Sequence, residues 1–168
     1  MLVLILGIAV AFFDQLTKHW VMQTLPLGDP YPVIQGFFDL THVRNTGAAW
    51  GILGGQNTAL TLLSMVMLLV MVIFRRSFLS DTWDHRVALG LMIGGILGNL
   101  FDRMRLGWVV DFLDFHVGGY HWPAFNIADA AICVGVGIYI LSALWAHSHP
   151  LNGNIPASRE ATDGNADG

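Results

Sequence analysis

The chain predicts an all-α membrane fold: four transmembrane helices carrying a small extracytoplasmic β-sheet formed from the first and third loops. Three observations point there. The 168 residues are 54% hydrophobic and 12% charged, with mean hydropathy +0.57, where soluble domains carry about 25% charged residues. Four apolar stretches each approach the roughly 20 residues a helix needs to cross hydrocarbon. The segments between the first and second stretches, and between the third and fourth, instead have strand composition and turn residues. Residues 1–146 are read as one domain, of which four spans occupy more than half.

The first span runs from Leu2 to Met22. Its start, Leu2 to Phe13 with Ala9-Val10-Ala11, has the look of a signal-peptide core, but no basic residue precedes it. Apolar character also resumes past Asp14 and Lys18, so the segment is expected to stay as an anchor. The second span, Thr58 to Phe74, is uniformly apolar. The third, Val87 to Met104, carries Gly90, Gly94 and Gly98 at intervals of four, a seam along which a neighbouring helix can approach closely. The fourth runs from Ile127 to Trp145. Four spans put both termini on one side, and Arg75, Arg76 and Arg86 between the second and third spans assign that side to the cytoplasm. Arg44, Arg103 and Arg105 then fall at the opposite face, where they are read as parts of a site.

Gly36 to Val43 is one strand candidate and Val109 to Val117 another, the latter followed by Gly118-Gly119 and Tyr120-His121-Trp122 as a hairpin. Trp108, Tyr120 and Trp122 suit an interfacial aromatic belt. Residues 147–168, rich in Gly, Asn, Asp and Ala, are expected to be a disordered cytoplasmic tail.

Several chemistries are excluded by what the sequence lacks. The net charge is -4 and the Lys and Arg residues form no stripe, which argues against a nucleic-acid partner. Cys133 is the single cysteine, so no intrachain disulfide forms, and it is read as a small buried residue. His116 and His121 are the best metal candidates, yet no His-Glu-x-x-His or zinc spacing exists, so no metal or other cofactor is expected. Ser64 and Ser142 lack a nucleophile elbow. Gly94-Gly95-Ile96-Leu97-Gly98 lacks the lysine and hydroxyl of a phosphate loop.

Acidic residues within apolar sequence remain. An ionised carboxylate at a span centre costs about 2.5 to 3.5 kcal/mol on insertion scales, so such residues face a protein interior or aqueous cavity. Asp111 in Val-Val-Asp-Phe and Asp129 in Phe-Asn-Ile-Ala-Asp flank the last polar loop. Asp114 competes with Asp111; the apolar neighbours Val109, Val110 and Phe112 favour Asp111. Asn126 and Asp129 have a second reading, as helix N-cap and dipole complement. Asp14 and Lys18, four apart on one helix face, read as a structural ion pair, and also as a face that touches a site with Lys18 toward a lipid head group, two readings that are compatible. Gly95, Asn99, Asp102 and Arg103 make a stripe on the third span, the last two as an ion pair. Two close carboxyls cannot easily both ionise, so they share one proton and activate water as aspartic proteases do.

Asp14-Gln15-x-Thr17-Lys18, Asn45-Thr46-Gly47-Ala48-Ala49, Gly94-Gly95-x-x-Gly98-Asn99-x-x-Asp102-Arg103, Val110-Asp111-Phe112 and Phe125-Asn126-x-Ala128-Asp129 occur in this order. Together, over about residues 1 to 146, they resemble lipoprotein signal peptidase, the bacterial signal peptidase II. The resemblance implies a four-helix inner-membrane aspartic endopeptidase, active toward the extracytoplasmic face. It would remove signal peptides from diacylglyceryl-modified prolipoproteins just before the lipidated cysteine. It implies Asp111 and Asp129 as the catalytic dyad, with Asp14, Lys18, Asn45, Gly95, Asn99, Arg103, Asn126 and Ala128 lining or supporting the site. Membrane lipid surrounds such an enzyme, globomycin-type cyclic peptides would inhibit it, and a monomer is expected. The rival readings are an ion or proton translocator using Asp14, Lys18, Asp102 and Asp129 as a relay, and an adaptor whose polar residues only join helices. No Gly-x-Gly-Asp motif supports a presenilin-like protease.

Overall fold

The computed structural model describes residues 1–48, 52–75 and 82–148. In chain order these form α1 (Leu2–Thr24), β1 (Tyr31–Ile34), β2 (Phe38–Asn45), α2 (Asn57–Ile73), α3 (Trp83–Leu106), β3 (Val109–Val117), β4 (Tyr120–His121) and α4 (Ile127–Ser148). Of the described helices, α1, α3 and α4 are long and apolar enough to cross a membrane, while α2 is a shorter apolar helix of 17 residues. Arg76 and the tail from residue 149 lie outside the described residues, and α4 continues to Ser148, through the first two positions read as tail.

Helix α3 is the centre of the bundle and the most buried of the long helices. Glycines make this possible, because removing Cβ lets backbones meet. A Cβ on Gly94 would lie 2.6 Å from the Gly7 carbonyl oxygen of α1, and one on Gly98 2.5 Å from Asp14 Oδ2. Gly95 turns the other way, against the Ala128 carbonyl of α4. The glycine seam read from sequence is thus the α1–α3 contact, and Gly95 belongs to the α3–α4 contact. On α1 the buried residues are Gly7, Asp14, Lys18 and Val21. Their spacing defines one helical face, leaving lipid-facing apolar side chains elsewhere. Helix α2 packs on α3 alone among its helical neighbours, beyond stray contacts.

At one end of the bundle lies an antiparallel sheet of order β1-β2-β3-β4. Helix α3 stops at Gly107, whose φ of 86° is the left-handed cap that glycine adopts without strain; β3 starts two residues later. The strand read as Gly36 to Val43 is β2, which starts two residues later at Phe38 and runs on to Asn45, and a further strand, β1, precedes it. Gly36, at φ 78°, sits in the turn between them, and the Phe37 N–H donates to the Ile34 carbonyl. Sequence reading missed β1 because Pro32 discourages a strand; it is tolerated here at a sheet edge. Gly118 and Gly119 both have positive φ, as a tight hairpin turn requires. Tyr120 and Trp122 are exposed, whereas Trp108 is half-buried beneath the Arg44 guanidinium, 4.7 Å from its ring centroid.

One irregularity positions the site. Leu40 pairs with Leu113 and Val43 with Asp111, so Thr41 and His42 together oppose Phe112. This β-bulge shifts the alternation of β2 by one residue. Asn45, paired with Val109, therefore shares a sheet face with Asp111, while Arg44, paired with Val110, points to the other.

The helix contacts are rigid enough to be tested by volume. Gly94→Leu is expected to lower stability in detergent by about 1 to 3 kcal/mol, because its side chain meets the α1 backbone. Gly137→Ala on α4, where a Cβ meets nothing within 4 Å, is expected to raise it by about 0.5 to 1 kcal/mol. Thermal unfolding midpoints of the two variants check both signs.

Candidate active site

Lys18 is 1% exposed, so its charge must be met by protein. Its Nζ lies 2.8 Å from Asp14 Oδ2 and 3.0 Å from Asp102 Oδ2, and donates to Asn99 Oδ1 at 2.9 Å. A lysine so engaged does not reach a lipid head group; that part of the sequence reading is corrected. Asp102 pairs with Lys18, not with Arg103 as its position in the stripe suggested. Arg103 is half-buried and interacts electrostatically with Asp129, Asp111 and Asp102.

Each carboxylate beside Lys18 also holds a backbone. Asp14 Oδ1 accepts from the Ala128 N–H at 2.9 Å, satisfying one of the donors left free at the start of α4. Asp102 Oδ2 accepts from the Val110 N–H at 3.1 Å, pinning β3 one residue before Asp111. Gln15, absent from the sequence-derived site set, joins the two. Its Nε2 donates to Asp102 Oδ1 at 2.8 Å and to the Gly98 carbonyl at 3.0 Å. Its place beside Asp14, three residues before Lys18, was the available signal.

Three asparagines convey this arrangement to the aspartates. Asn99 Oδ1 accepts from Lys18 and, at 3.2 Å, from Asn126 Nδ2, so Asn99 Nδ2 is left facing Asp129 Oδ1 at 2.7 Å. Asn126 Oδ1 accepts from the Asp129 N–H at 2.9 Å and the Asn126 N–H donates back to Asp129 Oδ2 at 3.3 Å. This reciprocal pair is a capping box with aspartate in the third position. The N-cap reading of Asn126 is therefore present in the structure alongside a further contact, because Asn126 Nδ2 also donates to Asp111 Oδ1 at 2.7 Å. Asn45 completes the set: its Oδ1 accepts from the Gly47 N–H and its Nδ2 donates to Asp111 Oδ2 at 2.8 Å. Every amide has a carbonyl end occupied by a donor, so each NH₂ is aimed at an acceptor.

Asp111 is 1% exposed and Asp129 half-buried. Both line a cavity of about 780 Å³ together with Asn45, Asn99, Arg103 and Cys133. Cys133, read as buried, is exposed there. Asp111 sits on a strand outside the helices. Burial first, then the charge of Asp129, push its carboxyl up to about 7 against the hydrogen bonds from Asn45 and Asn126 and the charge of Lys18. Asp114 takes no part: on the opposite sheet face, its carboxylate lies 3.0 Å from His121 Nδ1. His116 likewise lies against Asp39, at 3.2 Å. Gly95 supports the site by packing, while Asp14, Lys18, Asn45, Asn99, Arg103, Asn126 and Ala128 come together around the two aspartates.

The family model described as signal peptidase (SPase) II, of peptidase family A8, matches residues 6–145. The lipoprotein signal peptidase of Syntrophotalea carbinolica is 44% identical over 144 residues, covering 84% of this chain and 89% of its own. That of Bacillus pumilus is 43% identical over 140 residues, covering 83% and 90%. A solved bacterial membrane enzyme superposes with a TM-score of 0.83 at 36% identity, covering 91% of this chain and 93% of that one. A second does so at 0.76 and 38%, covering 84% and 92%.

Lys18→Met leaves Asp14 and Asp102 buried without their cation and is expected to cost about 3 to 5 kcal/mol; chemical denaturation in detergent measures it, with Asp102→Asn on that background recovering part of the loss. The raised Asp111 value has a definite sign. Between about pH 4 and 7 the folded protein holds a proton that the unfolded chain releases, so this contribution to stability is complete at low pH and lost as pH rises through 7. Asp111→Asn removes the penalty. Its stability relative to wild type is expected to improve by about 1.4 kcal/mol per pH unit across that window and to level off above it, read from unfolding midpoints between pH 4 and 9.

Proposed function

Because the chain belongs to the signal peptidase II family, and is thus an aspartic-type signal peptidase of the multi-pass membrane class, we propose that it cuts the signal peptide from diacylglyceryl-modified prolipoproteins just before the lipidated cysteine, using Asp111 and Asp129 as its catalytic dyad. The observation that carries this reading is Asn126. Its Nδ2 reaches Asp111 and its main-chain N–H reaches Asp129, so one residue holds both carboxylates at the wall of the large cavity.

Asp111 keeps the shared proton at rest, consistent with the upward push from burial and the Asp129 charge, and Asp129 is ionised. A water between them gives a proton to Asp129 as its oxygen attacks the scissile carbonyl carbon. Asp111 donates to the carbonyl oxygen, yielding a neutral tetrahedral diol. The proton on Asp129 then passes to the leaving amide nitrogen, the C–N bond breaks, and Asp111 recovers its proton from a diol hydroxyl. Atoms and charges balance over the cycle. Asn45, Asn99 and Asn126 keep the carboxylates oriented at no further cost of reorganisation, and Arg103 supplies positive potential beside Asp129.

In this reading all four described helices cross the membrane, with both termini cytoplasmic and the dyad toward the extracytoplasmic face of a bacterial inner membrane. The enzyme works as a monomer and globomycin-type cyclic peptides occupy the dyad cavity. Residues 1–146 form the peptidase domain and the remainder is a cytoplasmic tail. A proton relay is not favoured, since Asp14, Lys18, Asn99, Asp102, Asp111 and Asn126 gather at one end of the bundle, whereas Gly7, Ala88, Leu89 and Met92 fill the other.

Cleavage of purified diacylglyceryl-modified prolipoprotein in detergent tests the assignment. Asp111→Asn and Asp129→Asn are each expected to lower turnover by about 10²- to 10⁴-fold while substrate still binds, with Asp114→Asn close to wild type and added chelator without effect. Retained turnover in both dyad variants would overturn the mechanism, and an intact substrate with the wild type would overturn the activity.

A further inference from the structure

We propose that a second site, at the end of the bundle away from the dyad, binds one anionic glycerophospholipid: an acyl chain enters the recess between α1 and α2, and its phosphate rests on Arg75. The recess has a volume of about 400 Å³. Leu4 and Ile8 of α1 form one wall and Met71 of α2 the other, over a floor of Leu89, Ile93 and Leu97 of α3. None of its lining residues lines the dyad cavity.

The recess follows from how the helices meet. Gly94 lets α3 press against α1, where a Cβ on Gly94 would stand only 2.6 Å from the Gly7 carbonyl oxygen. Helix α2 packs on α3 without closing on α1. A gap walled by apolar side chains forfeits dispersion contacts unless hydrocarbon fills it.

Its depth selects the occupant. Leu89 to Leu97 spans about 12 Å at 1.5 Å per residue, most of one leaflet in a core about 30 Å thick. A partner helix would need a groove along the full thickness, and this one ends before the polar cluster at Asn99. An acyl chain of a single leaflet fits. At the open end Arg75 is the one charged side chain among the described lining residues. It is exposed, and its Nη1 is steadied by the Val72 carbonyl at 3.2 Å. The remaining guanidinium donors form the planar fork that suits phosphate oxygens.

Protein stripped of lipid in detergent is offered equal amounts of phosphatidylglycerol and phosphatidylcholine with identical chains, and retained lipid is counted by native mass spectrometry. The wild type is expected to keep one phosphatidylglycerol with a preference of about fivefold, the effect of one interfacial arginine on an anionic lipid. Arg75→Gln is expected to keep a lipid but lose the preference, Arg75→Lys to retain part of it, and Leu4→Trp, which fills the recess, to lose the lipid. Unfolding midpoints and prolipoprotein cleavage confirm that each variant is folded. Equal retention of the two lipids by the wild type, an unchanged preference in Arg75→Gln, undiminished lipid in folded Leu4→Trp, or a second protein chain in place of lipid would each overturn the proposal.

Discussion

A lysine ammonium held out of water is the constraint from which the end of this molecule that carries Asp111 and Asp129 follows. Lys18 is sealed between α1 and α3, and the cost of burying it is offset only by several acceptors at good geometry. Those acceptors are supplied by both helices, and each does a second task. Asp14 accepts from the start of α4, Asp102 from the start of β3, and Asn99 turns its amide nitrogen to Asp129. The ion cluster thereby ties together all the elements that carry Asp111 and Asp129. It adds little net stability relative to an apolar core of equal volume; what it confers is a single arrangement, since any shift of α1 against α3 strands a buried charge.

The start of α4 shows the same economy. Helix N-termini leave N–H groups without partners, and here Asp14, Asn126 and Asp129 accept from them. The capping function of Asn126 and Asp129 and their role beside Asp111 are one set of hydrogen bonds seen from two sides. A residue that caps a helix is locked in its rotamer, and a locked carboxylate is what a water-activating pair needs, because reorientation during the reaction would add to the barrier.

Packing divides the molecule into a tight part and an open part. Glycines bring α1, α3 and α4 into backbone contact. Helix α2 has mostly exposed, large apolar side chains and buries only Leu60. Both cavities border α2, one at each end of the bundle. Loosely packed α2 is thus where this fold leaves room beside both cavities.

Helix existence, the β3–β4 hairpin and most of the polar residues that gather around Asp111 and Asp129 were legible in the sequence, since span length, glycine spacing and the expense of charge in hydrocarbon are local properties of the chain. Val109–Val117 came out with its observed bounds, whereas β1 was hidden by Pro32, which only an edge position excuses. Three matters were decided by tertiary structure alone. Lys18 and Asp102 lie on different helices, and no helical spacing could have paired them in preference to Asp102 with Arg103. Gln15 gains its role from two groups on α3 that no local pattern relates to it. The bulge at Thr41 and His42 puts Asn45, rather than Arg44, on the face of Asp111. Strand alternation read from sequence assumes a period of two, and a single inserted residue reverses every side chain beyond it. The sequence by itself determined which residues are costly enough in a membrane to need partners. Which partners they found depended on how the helices and strands met, because hydrogen bonds between distant segments are set by distances that no local pattern encodes.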